Sequence, residues 1–350
     1  LRTGGGGAPP GAALLSVPLA SCLVAASPGD DAGDGWASSL TTAALGMLAS
    51  DAPRDVAWRR LLPPPGAFRG SLPVRWPEGA VGSSGSRALE GGADASFFAR
   101  AEVAADVGAS DGGSSDDADY AMDLVQTRTC RIVADGAGGA DATTYRVLAP
   151  VFDMINHSDL PNAEFLYWNG HDGETPSLVV RAIGAVADGE EIKISYGGEG
   201  ATSPPWRCLL NYGFVAEGGA GEVGEVALEG FAQRFEVGPE EVPYELVVAV
   251  YDLLEGKKIG CDAAEADTSG EVSLTPEVAE HIASLCDEAV LRLSGIGDRE
   301  ETGENDTTAE MISVLCKNLR ESQTMALSAA AGGLRVFADE IEKARQKMKL

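Results

Sequence analysis

The sequence predicts an α+β protein, with a β-rich N-terminal region that carries a helical insertion and an all-α C-terminal domain. Three observations predict it. Residues 177–186 read as an alternating run that leads into Gly189-Glu-Glu-Ile-Lys-Ile194, the two-residue period of half-buried strands. Residues 36–50 instead place Leu40, Ala44, Met47 and Leu48 at helical spacing. From Val242 onward the pattern turns helical again, with Leu246, Val247, Val250, Leu253 and Leu254 on one face.

The bulk composition bounds the function. At 350 residues the chain is long enough for two domains and an ample core. Its 44% hydrophobic and 23% charged content is ordinary for a soluble protein, so an intracellular soluble location is expected. The net charge of -28 opposes nucleic-acid binding, which needs a cationic face. It suits a protein partner with a basic surface, although solubility alone is an equally plain reading. The six cysteines are scattered with no C-x-x-C pair, and the three histidines, His157, His171 and His281, are dispersed. Neither a zinc cluster nor another metal site is expected, and free thiols are the default. No run reaches the ~20 apolar residues of a membrane span. A monomer is expected.

Taken in order, the chain opens on Leu rather than Met, which predicts a fragment or a processed end. Residues 13–26 have the look of a signal-peptide core, and Leu19-Ala-Ser-Cys22 that of a lipoprotein cleavage box, but Pro18 interrupts the run. Trp58 and Trp76 are expected to be core anchors. Residues 79–119 are rich in Gly, Ser and Asp around a helix at 95–105, and residues 108–119 are expected to be a mobile loop. A helix over 120–128 and a second loop over 134–144 follow. Residues 216–230 read as a linker with a strand at 225–228. Helices are expected over 244–254, 276–293, 308–327 and 334–347, the last crowded with Lys and Arg that complement its C-terminal dipole.

Three polar-aromatic signatures, about 40 and then about 15 residues apart, carry the chemistry. They are Asp153-Met-Ile-Asn-His-Ser158, Ile194-Ser-Tyr-Gly197 and Asn211-Tyr-Gly-Phe214. Each has a plain reading on its own: an Asx-turn after a strand, a strand-end tyrosine, and two core aromatics around a turn glycine. Together they resemble the SET-domain protein methyltransferases. They look most like the branch with a split SET domain and a helical C-terminal domain, that of the Rubisco lysine and actin-histidine methyltransferases. Pro10-Gly-Ala-Ala-Leu-Leu-Ser-Val-Pro18, Trp58-Arg-Arg-Leu-Leu-Pro63 and Leu72-Pro-Val-Arg-Trp76 resemble further segments of that branch.

The resemblance implies a β-rich SET fold with a knot-like core over residues 1–216, an insertion at about 36–130, and a helical substrate-binding domain over 217–350. It implies transfer of a methyl group from S-adenosylmethionine to a lysine, or secondarily a histidine, of a non-histone protein. The alternatives are a histone lysine methyltransferase and a non-catalytic SET-like module lacking the family's glycine motif, which would fall before Leu1. Gly4–Gly7 is a glycine run in the wrong place for it. By resemblance, Tyr196 is the catalytic tyrosine. Asn156, His157, Phe214 and Arg128 bind the cofactor, and Tyr212 and Asp153 bind the substrate. Asp153 is also placed to pair with Arg128. Pro205 stands where the family usually has an Asn opening a helix.

The residue types suit the chemistry. Methyl transfer needs donor and amine held in line and water excluded. It also needs a lysine of pKa near ~10.4 presented without its proton. Aromatic faces stabilise the sulfonium and methylated ammonium cations.

Overall fold

The computed structural model describes residues 6–27, 35–111, 115–134, 143–170, 175–197, 203–216, 223–232, 234–256, 272–297 and 307–348. The chain forms two compact units. The first comprises residues 1–75, 93–203 and 210–213, and the second residues 76–92, 204–209 and 214–350.

The first unit holds three small groups of strands. Strands β1 (Ala13–Pro18), β7 (Ser177–Ala182) and β6 (Ala163–Trp168) form an antiparallel sheet in the order β1-β7-β6. Strands β2 (Leu23–Ser27), β4 (Thr143–Leu148) and β3 (Thr129–Ala134) form another, in the order β2-β4-β3, with β3 on the outside. Two short strands, β5 (Asn156–His157) and β8 (Lys193–Ile194), pair in parallel. The apolar faces of these strands close over one core that includes Val17, Ile132, Val147, Phe152, Ile155, Leu178, Val180 and Ile194. The strand expected over 177–186 forms over 177–182, and of 189–194 only Lys193 and Ile194 are strand.

Helices α1 (Gly35–Ala49), α2 (Pro53–Arg59), α3 (Arg87–Asp111) and α4 (Ser115–Arg128) precede β3. Trp58 is 2% exposed, against Met47, Leu72, Tyr120 and Leu124. It is the core anchor the sequence predicts, and Trp76 is buried too. Asp123, buried on α4, accepts from Arg75 Nε at 3.0 Å and Nη2 at 3.1 Å, and from Arg100 Nη2 at 2.8 Å. This bidentate and bridging arrangement ties α3 and the segment at Arg75 to α4.

The loop expected over 108–119 is a correction. Helix α3 runs to Asp111 and α4 begins at Ser115, so most of that stretch is helical. The alanines of α3 favour helix enough to offset its glycines. The acidic residues that suggested disorder, Asp116 and Asp117, lie in the first turn of α4, where the helix dipole favours them. The helix expected at 95–105 is correspondingly longer. The second expected loop lies mostly outside the described residues, between Ala134 and Thr143.

In the second unit, helices α6 (Tyr244–Leu254), α7 (Pro276–Ser294) and α8 (Thr307–Met348) pack around Val250, Ile282, Cys286 and Leu327. Helix α7 is capped by Thr275, whose hydroxyl accepts from Val278 N at 3.3 Å, and has Pro276 in its first turn. Two expectations need correcting. Strands β9 (Gly224–Ala227) and β10 (Arg234–Val237) form an antiparallel hairpin, so this region is not all-α. The two helices expected over 308–327 and 334–347 are one, because Gly332 and Gly333 follow an alanine run whose propensity carries the helix through them. The hairpin has a capping role. The buried Glu225 carboxylate accepts from Ser86 Oγ, Arg87 N at 2.9 Å and Ala88 N at 3.1 Å, and so satisfies the free amides at the start of α3.

No helix among the described residues is long and apolar enough to cross a membrane.

Candidate active site

The site is built where a turn, a parallel strand pair and a returning segment meet in the first unit. After β4, Ala149-Pro-Val151 leads into a 3-10 turn, Phe152–Met154. Val151 enters it at φ 71° and ψ -43°, a positive-φ conformation that costs a β-branched residue on the order of 1–3 kcal/mol. This tight turn brings the Ile155 carbonyl within reach of the segment that follows β8.

Tyr196 follows β8. Its hydroxyl donates to the Ile155 carbonyl at 2.7 Å, and its backbone N–H donates to His157 Nδ1 at 3.1 Å. An imidazole that accepts at Nδ1 carries its proton on Nε2, which lies 3.2 Å from Asp159 Oδ1. His157 therefore locks the backbone of Tyr196, and both its ring nitrogens are engaged within the protein. Burial pushes the Tyr196 phenol up to about 12, an effect that nearby Arg128 partly opposes. The hydroxyl thus keeps its proton at neutral pH.

The ring of Tyr212 lies 4.7 Å from that of Tyr196, tilted by 59°. Tyr212 ends helix α5 (Pro205–Tyr212), which opens at Pro205, as a proline in a first helical turn allows. The returning segment is held by Gln126 Nε2, which donates to the Leu210 carbonyl at 2.9 Å, and by Gly213. At φ +80°, Gly213 packs so closely that a Cβ there would come within 2.8 Å of the Ser71 Cβ.

These residues border a cavity of about 450 Å³ whose walls include Arg128, Arg131, Arg146, Asp153, Tyr196 and Tyr212. The side chain of Asp153 is 1% exposed. Its Oδ2 lies 3.5 Å from Arg128 Nη1 and accepts a long bond of 3.5 Å from Trp58 Nε1. Arg128 Nη1 also donates to the Asp153 carbonyl at 2.8 Å. The pairing of Asp153 with Arg128 anticipated from sequence is present. Burial raises the Asp153 pKa in spite of the Arg128 charge. Asp153 Oδ1 and Arg128 Nε are buried without hydrogen-bond partners among the described residues, which marks the cavity wall as polar and unsatisfied.

Of the candidates named from sequence, the structure therefore brings Arg128, Asp153, Tyr196 and Tyr212 to one cavity. His157 stands behind Tyr196, their rings 5.2 Å apart. Asn156 is exposed, and its side-chain amide donates to Glu191 Oε1 at 2.7 Å. Phe214 falls in the second unit, half-buried. The end of the glycine run has a structural task. Ala8 bridges Val186, and a Cβ on Gly7 would come within 2.6 Å of the Val186 carbonyl oxygen. Sequence reasoning missed Arg131 and Arg146. Their signal was an arginine at matching positions in two neighbouring strands, legible only once the register was known.

No group of three or more His, Cys, Asp or Glu side chains with metal-binding geometry occurs among the described residues.

The family model described as SET domain matches residues 73–197, about a third of the chain. The match takes in Arg128, Asp153, Asn156, His157 and Tyr196, and ends before Tyr212 and Phe214. It supports a SET-domain protein, and with that the class of S-adenosylmethionine-dependent methyltransferases. No curated protein matches the chain.

Proposed function

We propose that the chain is a protein N-methyltransferase that methylates a lysine, or secondarily a histidine, of a non-histone protein, with S-adenosylmethionine as donor. The observation that carries this reading is the Tyr196 hydroxyl, half-buried at a cavity wall, hydrogen-bonded to the Ile155 carbonyl and flanked by Tyr212. The closer kinship is with the split-SET branch of the Rubisco and actin-histidine methyltransferases. In that branch residues 217–350 serve as a substrate-docking domain, and the parallel pair of β5 and β8 belongs to the knot-like core.

The residues present fit the cofactor. The cavity volume is in the range of small-molecule sites. Arg128 supplies a cation for a carboxylate and Asp153 an anion for an ammonium, and each has a buried polar atom without a partner among the described residues. When bound, S-adenosylmethionine supplies a methyl group on a cationic sulfur. The protein's part is positioning. The Tyr196 proton is committed to Ile155, so its oxygen keeps acceptor lone pairs for a target N–H or a methyl C–H. Its raised pKa excludes a phenolate base at neutral pH. The Tyr196 and Tyr212 rings offer faces to a cation and narrow the approach of a side-chain nitrogen. Burial disfavours the charged amine and so promotes the neutral nucleophile.

The test is calorimetric titration of the chain with S-adenosylhomocysteine, followed by methyl transfer from labelled donor to folded proteins and to isolated histone tails. Micromolar binding and label recovered as methyl-lysine in folded proteins is the expected result. Label in histone tails alone moves the substrate assignment, methyl-histidine moves the target residue, and absence of binding removes the enzymatic reading.

A further inference from the structure

Tyr212 lines the cavity from the last turn of α5, a helix of 8 residues. A helix this short is marginal by itself, and the carbonyls of its last four residues have no partner within it. Leu210 is one of those four. Its carbonyl accepts from Gln126 Nε2 of α4 at 2.9 Å. Directly after the helix, Gly213 at φ +80° packs against Ser71. Tyr212 thus lies between two pinned points, just past Leu210 and just before Gly213.

The grip on Leu210 has a defined polarity. Arg100 Nη1 donates to Gln126 Oε1 at 3.0 Å. A guanidinium has no acceptor, and a carbonyl oxygen has no proton to donate. One orientation of the Gln126 amide therefore satisfies both neighbours. A flipped amide would set its NH2 against the guanidinium and its oxygen against the carbonyl. Arg100 is itself fixed, because its Nη2 donates to Asp123 Oδ1 at 2.8 Å and to the Asp119 carbonyl at 3.0 Å. Asp119, Asp123 and Gln126 follow helical spacing on one face of α4. The Arg100 and Asp123 side chains are 13% and 6% exposed, so the chain of bonds is shielded from water, and a satisfied network of this kind is stiff.

The same helix has a second tie to the cavity. Thr127 and Arg128, its last two residues, line the wall directly. Helix α4 thus supplies part of the wall itself and, through Gln126, sets where Tyr212 stands.

We propose that Gln126 is a positioning residue: oriented by Arg100, it fixes the last turn of α5 and so holds the Tyr212 ring beside that of Tyr196 for the methyl-accepting side chain. The part that concerns methyl transfer rests on the function proposed above, and the placement of the ring does not. Position matters at this scale, since a displacement of about 1 Å near a reacting centre can cost on the order of 100-fold in rate.

The test uses Gln126→Glu in the 350-residue chain. An ionised carboxylate still accepts from Arg100 but cannot donate to Leu210. With 3-fluorotyrosine in place of tyrosine, fluorine NMR reads each ring, and Tyr212→Phe and Tyr196→Phe assign the two signals. The Tyr212 signal is expected to shift, while those of the stacked Tyr145 and Tyr167 stay. Methyl transfer from labelled S-adenosylmethionine to a lysine-centred peptide is expected to fall at least about tenfold in kcat, with peptide KM and S-adenosylhomocysteine affinity within about threefold. Gln126→Met, uncharged and of similar length, serves with the same expectations if the glutamate variant does not fold. An unmoved Tyr212 signal overturns the proposal, as does a moved signal with unchanged kcat. Joint movement of the Tyr145, Tyr167 and Tyr212 signals, or failure of both variants to fold, makes Gln126 a merely structural residue and overturns it too. Where the wild type transfers no methyl group to the peptide, the fluorine signals alone decide the placement. Absence of S-adenosylhomocysteine binding as well removes the methyl-transfer reading and leaves a Tyr212 shift as evidence for the placement by Gln126.

Discussion

The ring of Tyr212 sits 4.7 Å from that of Tyr196, and the Tyr196 hydroxyl is anchored on the carbonyl of Ile155. Tyr196→Phe removes the hydroxyl and keeps the ring contact. The fold should lose only about 1 kcal/mol, the net worth of one hydrogen bond. Methyl transfer should fall by about 100-fold or more, the usual loss for one positioned polar group at a reacting centre. S-adenosylhomocysteine affinity should stay within about threefold. Single-turnover rates beside calorimetry check this, and parallel loss of both would place the hydroxyl in binding alone.

The same phenol makes a pH prediction. Its folded-state pKa, pushed up to about 12 by burial, exceeds the ordinary tyrosine value of 10.0. The folded state therefore binds this proton more tightly than the unfolded one. Its contribution to stability is complete below pH 10 and is lost as pH rises toward 12. Ultraviolet difference titration of the wild type against Tyr196→Phe should show this tyrosine ionising last. An ionisation below pH 10 would contradict the burial of the hydroxyl.

Asp153 also has a raised pKa, but a carboxyl reverses the practical outcome. Its contribution is favourable while it is protonated, below about pH 3.8, and is lost as pH rises through its higher folded-state value. At pH 7 the buried charge thus costs stability. Asp153→Asn should melt at or above the wild-type temperature at pH 7, with the gap closing in acid, and should lose activity. A variant clearly less stable at pH 7 would show that the Arg128 attraction outweighs burial.

Gly213 is constrained twice over, by φ +80° and by Ser71. Gly213→Ala should cost about 2–4 kcal/mol in denaturant unfolding. Ser71→Gly in the same chain should restore the steric part and leave the backbone part. No rescue would mean that the neighbouring backbone, not the Ser71 side chain, sets the limit.

Asp123 joins Arg75 and Arg100 inside the first unit. Asp123→Ala leaves two guanidiniums without their shared carboxylate. It should cost about 3 kcal/mol, the usual result of breaking a buried pair from one side. Thermal unfolding checks this, and a loss below about 1 kcal/mol would mean that water replaces the carboxylate.

Much of the site was legible in the sequence because its signals are local. Asp153, His157 and Tyr196 sit in short stretches whose residue types are unusual together, whereas Asn156 of the same stretch lies exposed on Glu191, and Trp58 and Trp76 announced themselves as anchors. What was not legible depends on partners distant in the chain. The Arg131–Arg146 pair exists only through the register of β3 and β4. One strand of the hairpin at residues 224–237 was expected at 225–228, but its partner strand and the buried Glu225 carboxylate that caps the start of α3 were not. The acidic text at 108–119 looked disordered because composition carries no information about which end of a helix the charges occupy.

The first unit is discontinuous in sequence, and its last piece is residues 210–213. A chain emerging from the ribosome can pair β1 with β7 and β5 with β8, and present Tyr196, once the residues through Tyr196 are available. At that moment Tyr196 already has Ile155 and His157, but Tyr212 has not been delivered and the place beside Ser71 is vacant. A nascent chain stalled there would hold its sheets without the Tyr212 wall of the cavity. The wall that Tyr212 gives the cavity is thus the last part of the first unit to be synthesised.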